Sequence, residues 1–495
     1  MAPLSVSTPA FHTIHAMRRN TKVVATIGPA TDDPSTIAEL AEAGVNVFRV
    51  NFAHGSHDEQ AERIGRIRDA CRSTRTPIGI LADLPGPKIR TGLLGAKEVR
   101  LEAGNEVVLT SDSVLGTAEK ISTSLDNLSE IVHPGDPIML ADGRIVAEVV
   151  SIHGSDVLTK IVRSGWLQSR KGMHLPRSEA QVEAFTPSDR AALEVAVDAE
   201  VDLIGLSFVR DADDVRRAQR ALPKRGSKPL LVAKIETRAA VDNLDEIVHV
   251  ASVVMVARGD LGIQMGLAEV PMLQKRIIRR CNQMGTPVIT ATQMLESMTR
   301  SPMPTRAEVA DVANAVLDGT DALMLSEETA IGAHPVSAVK LMSEVAEAAE
   351  HDLRTGTEWS LEDHHIDRVS WAVAHSAVKA ASDLRVAAIL CPTRSGATAR
   401  KVAAFRPPVP IIGLAARADT LGSMAVTWGV RPLFSAAANT DEVDVNKIMQ
   451  SVVDAGEIEI GDLVAIVAGG DGPRAGATDY MRILRVDGTR VGFSQ

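Results

Sequence analysis

Short apolar runs alternate with amphipathic stretches in two parts of the chain, 21–91 and 186–350. The runs are Lys22–Gly28, Asn46–Phe52, Ile78–Leu84, Leu203–Val209, Leu230–Glu236, Ser252–Arg258, Pro287–Gln293 and Ala322–Glu328. They are rich in Val, Ile and Leu and short enough for strands buried on both faces. Between them lie segments such as Pro34–Gly44 and Glu269–Gly285, with Pro or an acid near the front and Gly at the back, as helices prefer. Eight such strand–helix units predict a (β/α)8 (TIM) barrel. A doubly wound open sheet is the alternative, weakened by the eight units and by the lack of a GxGxxG turn.

The alternation breaks after the third run. Residues 92–185 read as short alternating strands with turn signals at Asp142-Gly143 and His153-Gly154, and Glu98–Leu109 and Pro137–Val150 look like hairpins. This predicts a small inserted β domain, 92–185, a β-barrel placed as a lid over a barrel of 21–91 and 186–355. From 356 to 495 a separate α/β domain is expected, with helices at Val369–Ser382, Thr398–Phe405 and Val443–Ala455. Its strands are expected at Val386–Cys391, Pro410–Leu414 and Asp462–Ala468, and the polar stretch His351–Asp367 joins it to the barrel.

Composition narrows the partners. The 495 residues are 45% hydrophobic and 23% charged, which supplies several cores and argues against wholesale disorder. Aromatic residues make up only 3% and the net charge is −10, so stacking platforms and phosphate-backbone footprints for nucleic acid are not expected. No apolar run reaches the roughly 18 residues that span a bilayer. Cys71, Cys281 and Cys391 lie far apart without a CxxC pair, which fits buried thiols in a reducing compartment. Residues 1–20 hold Ser, Thr, Arg18 and Arg19 and no acid. They read as a disordered extension, with a targeting peptide as the alternative.

The chemistry lies where the runs end, because a (β/α)8 barrel builds its active site at the C-terminal ends of its strands. The second run carries Arg49, Asn51, Ala53 and His54, and the third ends in Asp83, followed by Lys88 and Arg90. The fifth ends Lys234-Ile235-Glu236, the sixth leads into Arg258-Gly259-Asp260-Leu261-Gly262, the seventh ends in Thr292, and the eighth in Ser326-Glu327-Glu328. Singly, each reads as a rim charge, and Arg49 with Asp83 as an ordinary ion pair. Together, Arg49, Lys88, Arg90 and Lys234 form a cationic cluster beside Glu236 and Asp260, two hard oxygen ligands suited to Mg²⁺ or Mn²⁺. That combination suits a phosphoryl group, whose transition state spreads negative charge over three oxygens.

Long runs then carry a resemblance: Thr21–Ala30, Lys234-Ile235-Glu236, Met255–Gly262, Ala291–Met298, Pro304–Glu308 and Asp311–Gly319. In this order, from Thr21 to about Val486, the chain resembles the pyruvate kinase family. The resemblance implies phosphoryl transfer from phosphoenolpyruvate to ADP, giving pyruvate and ATP, by a cytoplasmic glycolytic homotetramer. It assigns the metal to Glu236 and Asp260. The phosphoryl group falls to Lys234 and Arg49, and the substrate carboxylate to Gly259, Asp260 and Thr292. Ser326 and Glu328 become a proton network, and Pro29, Asn51, His54 and Arg90 the nucleotide side; for His54 a structural hydrogen bond remains an alternative.

Several positions depart from the family pattern. Family members often hold K⁺ with four side-chain oxygens; here Asn51 and Asp83 remain, while Ala53 and Leu84 replace the others. Lys88 stands where K⁺-dependent members carry Glu, so turnover independent of K⁺ is expected. His174, Arg177 and Gln181 depart in the lid, and Glu327 replaces a Gly. Thr393, Ser395, Gly396 and Thr398 match the family's effector loop and read as a site for a phosphorylated effector or as a helix cap. The facing loop, Gly469–Gly476, matches poorly. A non-catalytic phosphometabolite sensor and a metal-dependent lyase remain as competing readings.

Overall fold

The computed structural model describes residues 19–72, 74, 77–141, 143–176, 183–224, 228–352, 367–439, 444–469 and 478–487. Residues 1–18, Asp142, Arg177, Gln181, most of the 351–367 connection and the 470–476 loop lie outside the described residues, so the expectations for them find no answer here.

Strands β1 (Lys22–Ile27), β2 (Val47–Asn51), β3 (Gly79–Asp83), β4 (Leu203–Leu206), β5 (Leu230–Ile235), β6 (Val253–Ala257), β7 (Val288–Ala291) and β8 (Ala322–Leu325) close into a parallel barrel in chain order. β8 returns to β1 with Lys22 opposite Ala322. All residues of β1, β3, β4, β6, β7 and β8 are buried or nearly so, the signature of strands covered by helices outside and side chains within. β2 differs: Arg49 and Asn51 are only partly buried, because they point into the open top.

The helices between strands begin where the sequence offers caps. Ser56 with Glu59, Thr186 with Asp189 and Thr305 with Glu308 form capping boxes, each satisfying otherwise unpaired amides of the first turn. Helix Val270–Met284 stops at Gly285, whose φ of 66° a side chain would oppose. The barrel interior is packed by Val24, Val47, Leu81, Leu203, Val232, Val253 and Met255, with Ala425 and Val426 of the C-terminal domain joining this cluster. The base is thus plugged, and the polar strand ends collect at the opposite face.

The segment between β3 and helix Pro187–Asp198 has its own apolar cluster, built around Leu101, Val107, Leu109, Ile138, Ile145 and Ile161. Its curled six-stranded sheet runs Met173–His174, Pro137–Leu140, Ile145–His153, Asp156–Arg163, Glu106–Thr110, Lys120–Ser122. The hairpin expected at Pro137–Val150 forms, as does the turn at Gly154, with φ 63°. The hairpin expected at Glu98–Leu109 does not form. Glu98–Leu101 instead pairs with Gly165–Gln168, while Glu106–Thr110 pairs with Asp156–Arg163. The reason is the corner at Gly104, φ 92°, whose amide bonds Ile161 O, so the chain leaves one sheet and enters the other.

The C-terminal domain orders its strands β11-β10-β9-β12-β13, with β9 (Ala388–Pro392), β10 (Ile411–Ala415), β11 (Val430–Phe434), β12 (Leu463–Ala468) and β13 (Tyr480–Arg485), the last antiparallel. β11 and β13 escape a search for apolar runs: Arg431 and Pro432 interrupt the first, and Arg482 and Arg485 break up the second on an open edge. The domain docks on the barrel base through buried Arg406. That guanidinium reaches Asp321 at 3.1 Å and Gly319 O at 2.7 Å, and lies 4.8 Å over the Trp428 ring. Cys281 and Cys391 are buried, Cys71 is half-buried, and all three are free. Among the described residues no helix is long and apolar enough to cross a membrane.

Candidate active site

At the top of the barrel the ends of β2, β3 and β5, the last two separated by β4, bring four charged side chains into contact. Asp83 is buried, with one carboxylate oxygen accepting two bonds from Arg49 at 2.8 and 2.6 Å. Its other oxygen lies 3.2 Å from Lys234 Nζ. That ammonium also reaches Glu236 at 2.9 Å and donates to Ser207 Oγ at 2.8 Å. The Ser207 hydroxyl in turn donates to Leu84 O, and the second Glu236 oxygen accepts the Phe208 N–H at 2.7 Å. Burial alone would discharge these groups. Burial does work against the Lys234 charge, but Asp83 and Glu236 outweigh it and hold the ammonium above its usual range. Burial likewise opposes the Asp83 charge, and Lys234 and Arg49 overcome it, holding this carboxyl below its ordinary value.

Glu236 is drawn both ways. Burial pushes its carboxyl up, Lys234 pulls it down and the Asp260 carboxylate pushes it up again, leaving it raised. Asp260 sits in the first turn of helix Arg258–Met265, directly after β6. The Asp260 carboxylate thus adds negative charge beside Glu236.

Just past the end of β7 the backbone is unusual. Thr292 has φ 71° and Gln293 φ 54°. A β-branched residue in this left-handed region is strained by roughly 1–3 kcal/mol. Its hydroxyl accepts the Gly259 N–H at 2.8 Å and donates to Ala291 O at 2.6 Å. All of this opens onto a cleft of about 960 Å³ whose walls include Arg49, Lys88, Lys234, Glu236, Asp260 and Thr292.

The comparisons with known proteins bear on this cleft. The family profile described as "Pyruvate kinase, barrel domain" matches residues 18–339, and "Pyruvate kinase, alpha/beta domain" matches 371–484. A pyruvate kinase of Geobacillus stearothermophilus is 40% identical over 94% of this chain and 80% of its own length. One of Thermotoga maritima is 38% identical over 95% of this chain and 100% of its own. The chain belongs to the pyruvate kinase family. The crystal structure of a pyruvate kinase from Cryptosporidium parvum superposes with a TM-score of 0.87 at 34% identity, covering 94% of this chain and 96% of the other. This is therefore an enzyme, a transferase, and membership implies phosphoenolpyruvate and ADP as substrates and pyruvate and ATP as products.

The same cleft takes in most of the other residues singled out in the sequence. Pro29, Asn51, His54, Arg90, His174, Ser326 and Glu327 line it. Arg90 also donates to Arg170 O at 3.1 Å, tying the barrel to the lid. The His54 imidazole makes no hydrogen bond among the described residues; burial first, then Lys88, Arg90 and Arg49, keep its pKa below the ordinary value. Glu328 is placed differently: it is buried, and its carboxylate accepts the Leu295 and Ser326 amides at 3.1 and 2.7 Å.

In the C-terminal domain Gly396 takes φ 77° ahead of helix Ala397–Ala404. That helix has no side-chain cap, so Thr393 and Ser395 are not acting as one. Thr398 bonds Thr478 at 2.9 Å.

The cations stand beside carboxylates: Arg49 pairs with Asp83, and Lys234 with both Asp83 and Glu236. Ser207 is a supporting residue that reading by strand ends left out, and Arg258, named there at the end of the sixth run, was given no role. Ser207 lies inside the apolar run Leu203–Val209, and its one hydroxyl gave the only signal.

A divalent metal fits Glu236 and Asp260 by chemistry: hard oxygens, mutually repelling, one of them buried. Among the described residues no group of three or more His, Cys, Asp or Glu side chains that could hold a metal forms.

Proposed function

We propose that phosphoryl transfer from phosphoenolpyruvate to ADP takes place in this cleft, with Lys234 and Arg49 on the phosphoryl group. Glu236 and Asp260 would hold Mg²⁺ or Mn²⁺, which when bound supplies charge neutralisation at the substrate oxygens. The observation that carries this reading is the 2.9 Å approach of Lys234 Nζ to Glu236 inside the cleft that Asp260 lines.

Asp83 orients both cations before substrate arrives, so little reorganisation is needed as charge develops on the migrating group. The Gly259 and Asp260 amides and the Thr292 hydroxyl hold the substrate carboxylate, which takes over the Gly259 N–H from Thr292. Ser326, exposed to the cleft, delivers the proton to the enol carbon; Glu328 fixes the backbone on which Ser326 stands. Pro29, Asn51, His54 and Arg90 receive the nucleotide.

K⁺ is not required in this reading. Asn51 Oδ1 accepts the Ala53 N–H at 3.0 Å, Asp83 is held by Arg49 and Lys234, and Ala53 and Leu84 offer no side-chain oxygen. Lys88 sits in the same cleft. Its ammonium is lowered by burial and Lys234 and supported by Asp83, the acid the missing ion would have neutralised. Family membership further supports a glycolytic role in the cytoplasm, a homotetramer, and a phosphorylated effector near Thr393, Ser395, Gly396 and Thr398.

Turnover of phosphoenolpyruvate with ADP and Mg²⁺, followed by pyruvate formation in KCl and in tetramethylammonium chloride, tests the reading. Equal rates in the two salts are expected. No pyruvate would overturn the activity, and a several-fold stimulation by K⁺ would overturn the ion independence.

A further inference from the structure

We infer that Arg258 is a positioning residue, whose guanidinium, braced by Asp311, holds Thr292 in its left-handed conformation and so sets where the Thr292 hydroxyl stands in the cleft. The inference rests on the assignment of Thr292 to the substrate carboxylate.

Arg258 is the first residue of the helix that carries Gly259 and Asp260, and its side chain is only 10% exposed. Its Nε reaches Ala291 O at 3.2 Å and Thr292 O at 3.3 Å, and its Nη2 reaches Thr292 O at 2.7 Å. One edge of the planar fork thus grips two successive carbonyls at the end of β7. On the other edge, Nη1 donates to both Asp311 oxygens at 2.9 and 2.7 Å and to Gln274 at 3.2 Å. Two carbonyls held by one rigid plane fix the two peptide planes that flank the Thr292 Cα relative to one another, and with them its left-handed conformation. The neighbouring Gly259 amide then meets Thr292 Oγ1 at 2.8 Å. One side chain therefore joins the end of β6 to the end of β7 from behind the site, itself outside the lining of the cleft. Lysine offers a single point of charge and cannot reproduce the two-carbonyl grip.

The test is a double-mutant cycle on kcat with phosphoenolpyruvate, ADP and Mg²⁺, using Arg258→Lys, Thr292→Ala and the pair. If Arg258 acts through Thr292, each single change lowers kcat by roughly 10²-fold while the KM for ADP stays within about twofold. The double variant then falls no more than about twofold below Thr292→Ala alone. Should Arg258→Lys fail to fold, Asp311→Asn, which leaves every guanidinium donor in place, enters the same cycle and must show the same lack of additivity. Losses that multiply, or a wild-type kcat for Arg258→Lys, overturn the inference while leaving the Thr292 assignment standing. A wild-type kcat for Thr292→Ala removes that assignment, and the inference with it.

Discussion

Lys234 Nζ lies 3.2 Å from one oxygen of the buried Asp83 carboxylate. The other Asp83 oxygen is taken by Arg49. A single carboxylate on β3 therefore fixes two cations from β2 and β5, and both are aimed into the cleft. Removing either cation leaves a buried charge short of compensation, which is costly wherever water cannot enter.

Lys234→Met is expected to lower kcat by roughly 10²–10³-fold or more, with a smaller change in the KM for phosphoenolpyruvate. The same variant should bind Mn²⁺ more tightly in the absence of substrate, because Glu236 loses the ammonium that now competes for it. Steady-state kinetics and paramagnetic resonance of free Mn²⁺ measure the two effects. An unchanged kcat would remove Lys234 from the chemistry.

Lys88→Glu places a third acid beside Asp83 and Asp260 without restoring oxygens at Ala53 and Leu84. Activity should fall by about tenfold or more, and added K⁺ should not bring it back. Recovery in KCl would show that an ion site survives.

Asp202, at the base of the barrel, accepts from Arg68 at 2.7 Å and from the Ile80 N–H at 2.8 Å, while its other oxygen presses on Gly422 without a hydrogen bond. Burial pushes its carboxyl up to about 6; Arg68 pulls it back and Asp419 adds to the rise. An unfolded Asp titrates near about 3.9, so between roughly 4 and 6 the folded state holds the extra proton. Its contribution to stability is full below that window and is lost as pH rises through it. The Tm of Asp202→Asn relative to the parent should therefore be higher near pH 7.5 than near pH 4.5. A difference independent of pH would contradict the raised pKa.

Gly285 ends a barrel helix at φ 66°, and a Cβ there would lie 2.0 Å from the Trp371 ring, in the first helix of the C-terminal domain. Gly285→Ala should lower Tm by several degrees, roughly 1–3 kcal/mol from overpacking with backbone strain in addition. Thermal unfolding followed by circular dichroism reads it, and an unchanged Tm would mean that Trp371 yields freely.

Much of this architecture was legible in the residues. The eight apolar runs mark the barrel strands to within a few positions, because a strand covered on both faces must be apolar along its length. The hairpin at Pro137–Leu140 and Ile145–Glu148 was readable from its alternation. Glu98–Leu101 was not, since its partner lies more than sixty positions away and only the turn at Gly104 diverts it. Among site residues, Arg49, Lys234, Glu236, Asp260 and Thr292 announced themselves as polar groups ending apolar runs. Ser207 did not, and Arg258, although it ends the sixth run, gave no sign of its role, because the value of both lies in what they hold.

The sequence by itself determined the barrel, the inserted sheet, the family, and which strand ends bear charge, since these follow from local periodicity and from long ordered motifs. Only the tertiary structure decided that Asp83 shares its oxygens between Arg49 and Lys234, that Glu328 serves backbone amides, and that Thr292 is bent into a left-handed turn. Those outcomes depend on distances of about 3 Å between strands far apart in the chain, and hydrogen-bond geometry at that range is set by how the barrel closes.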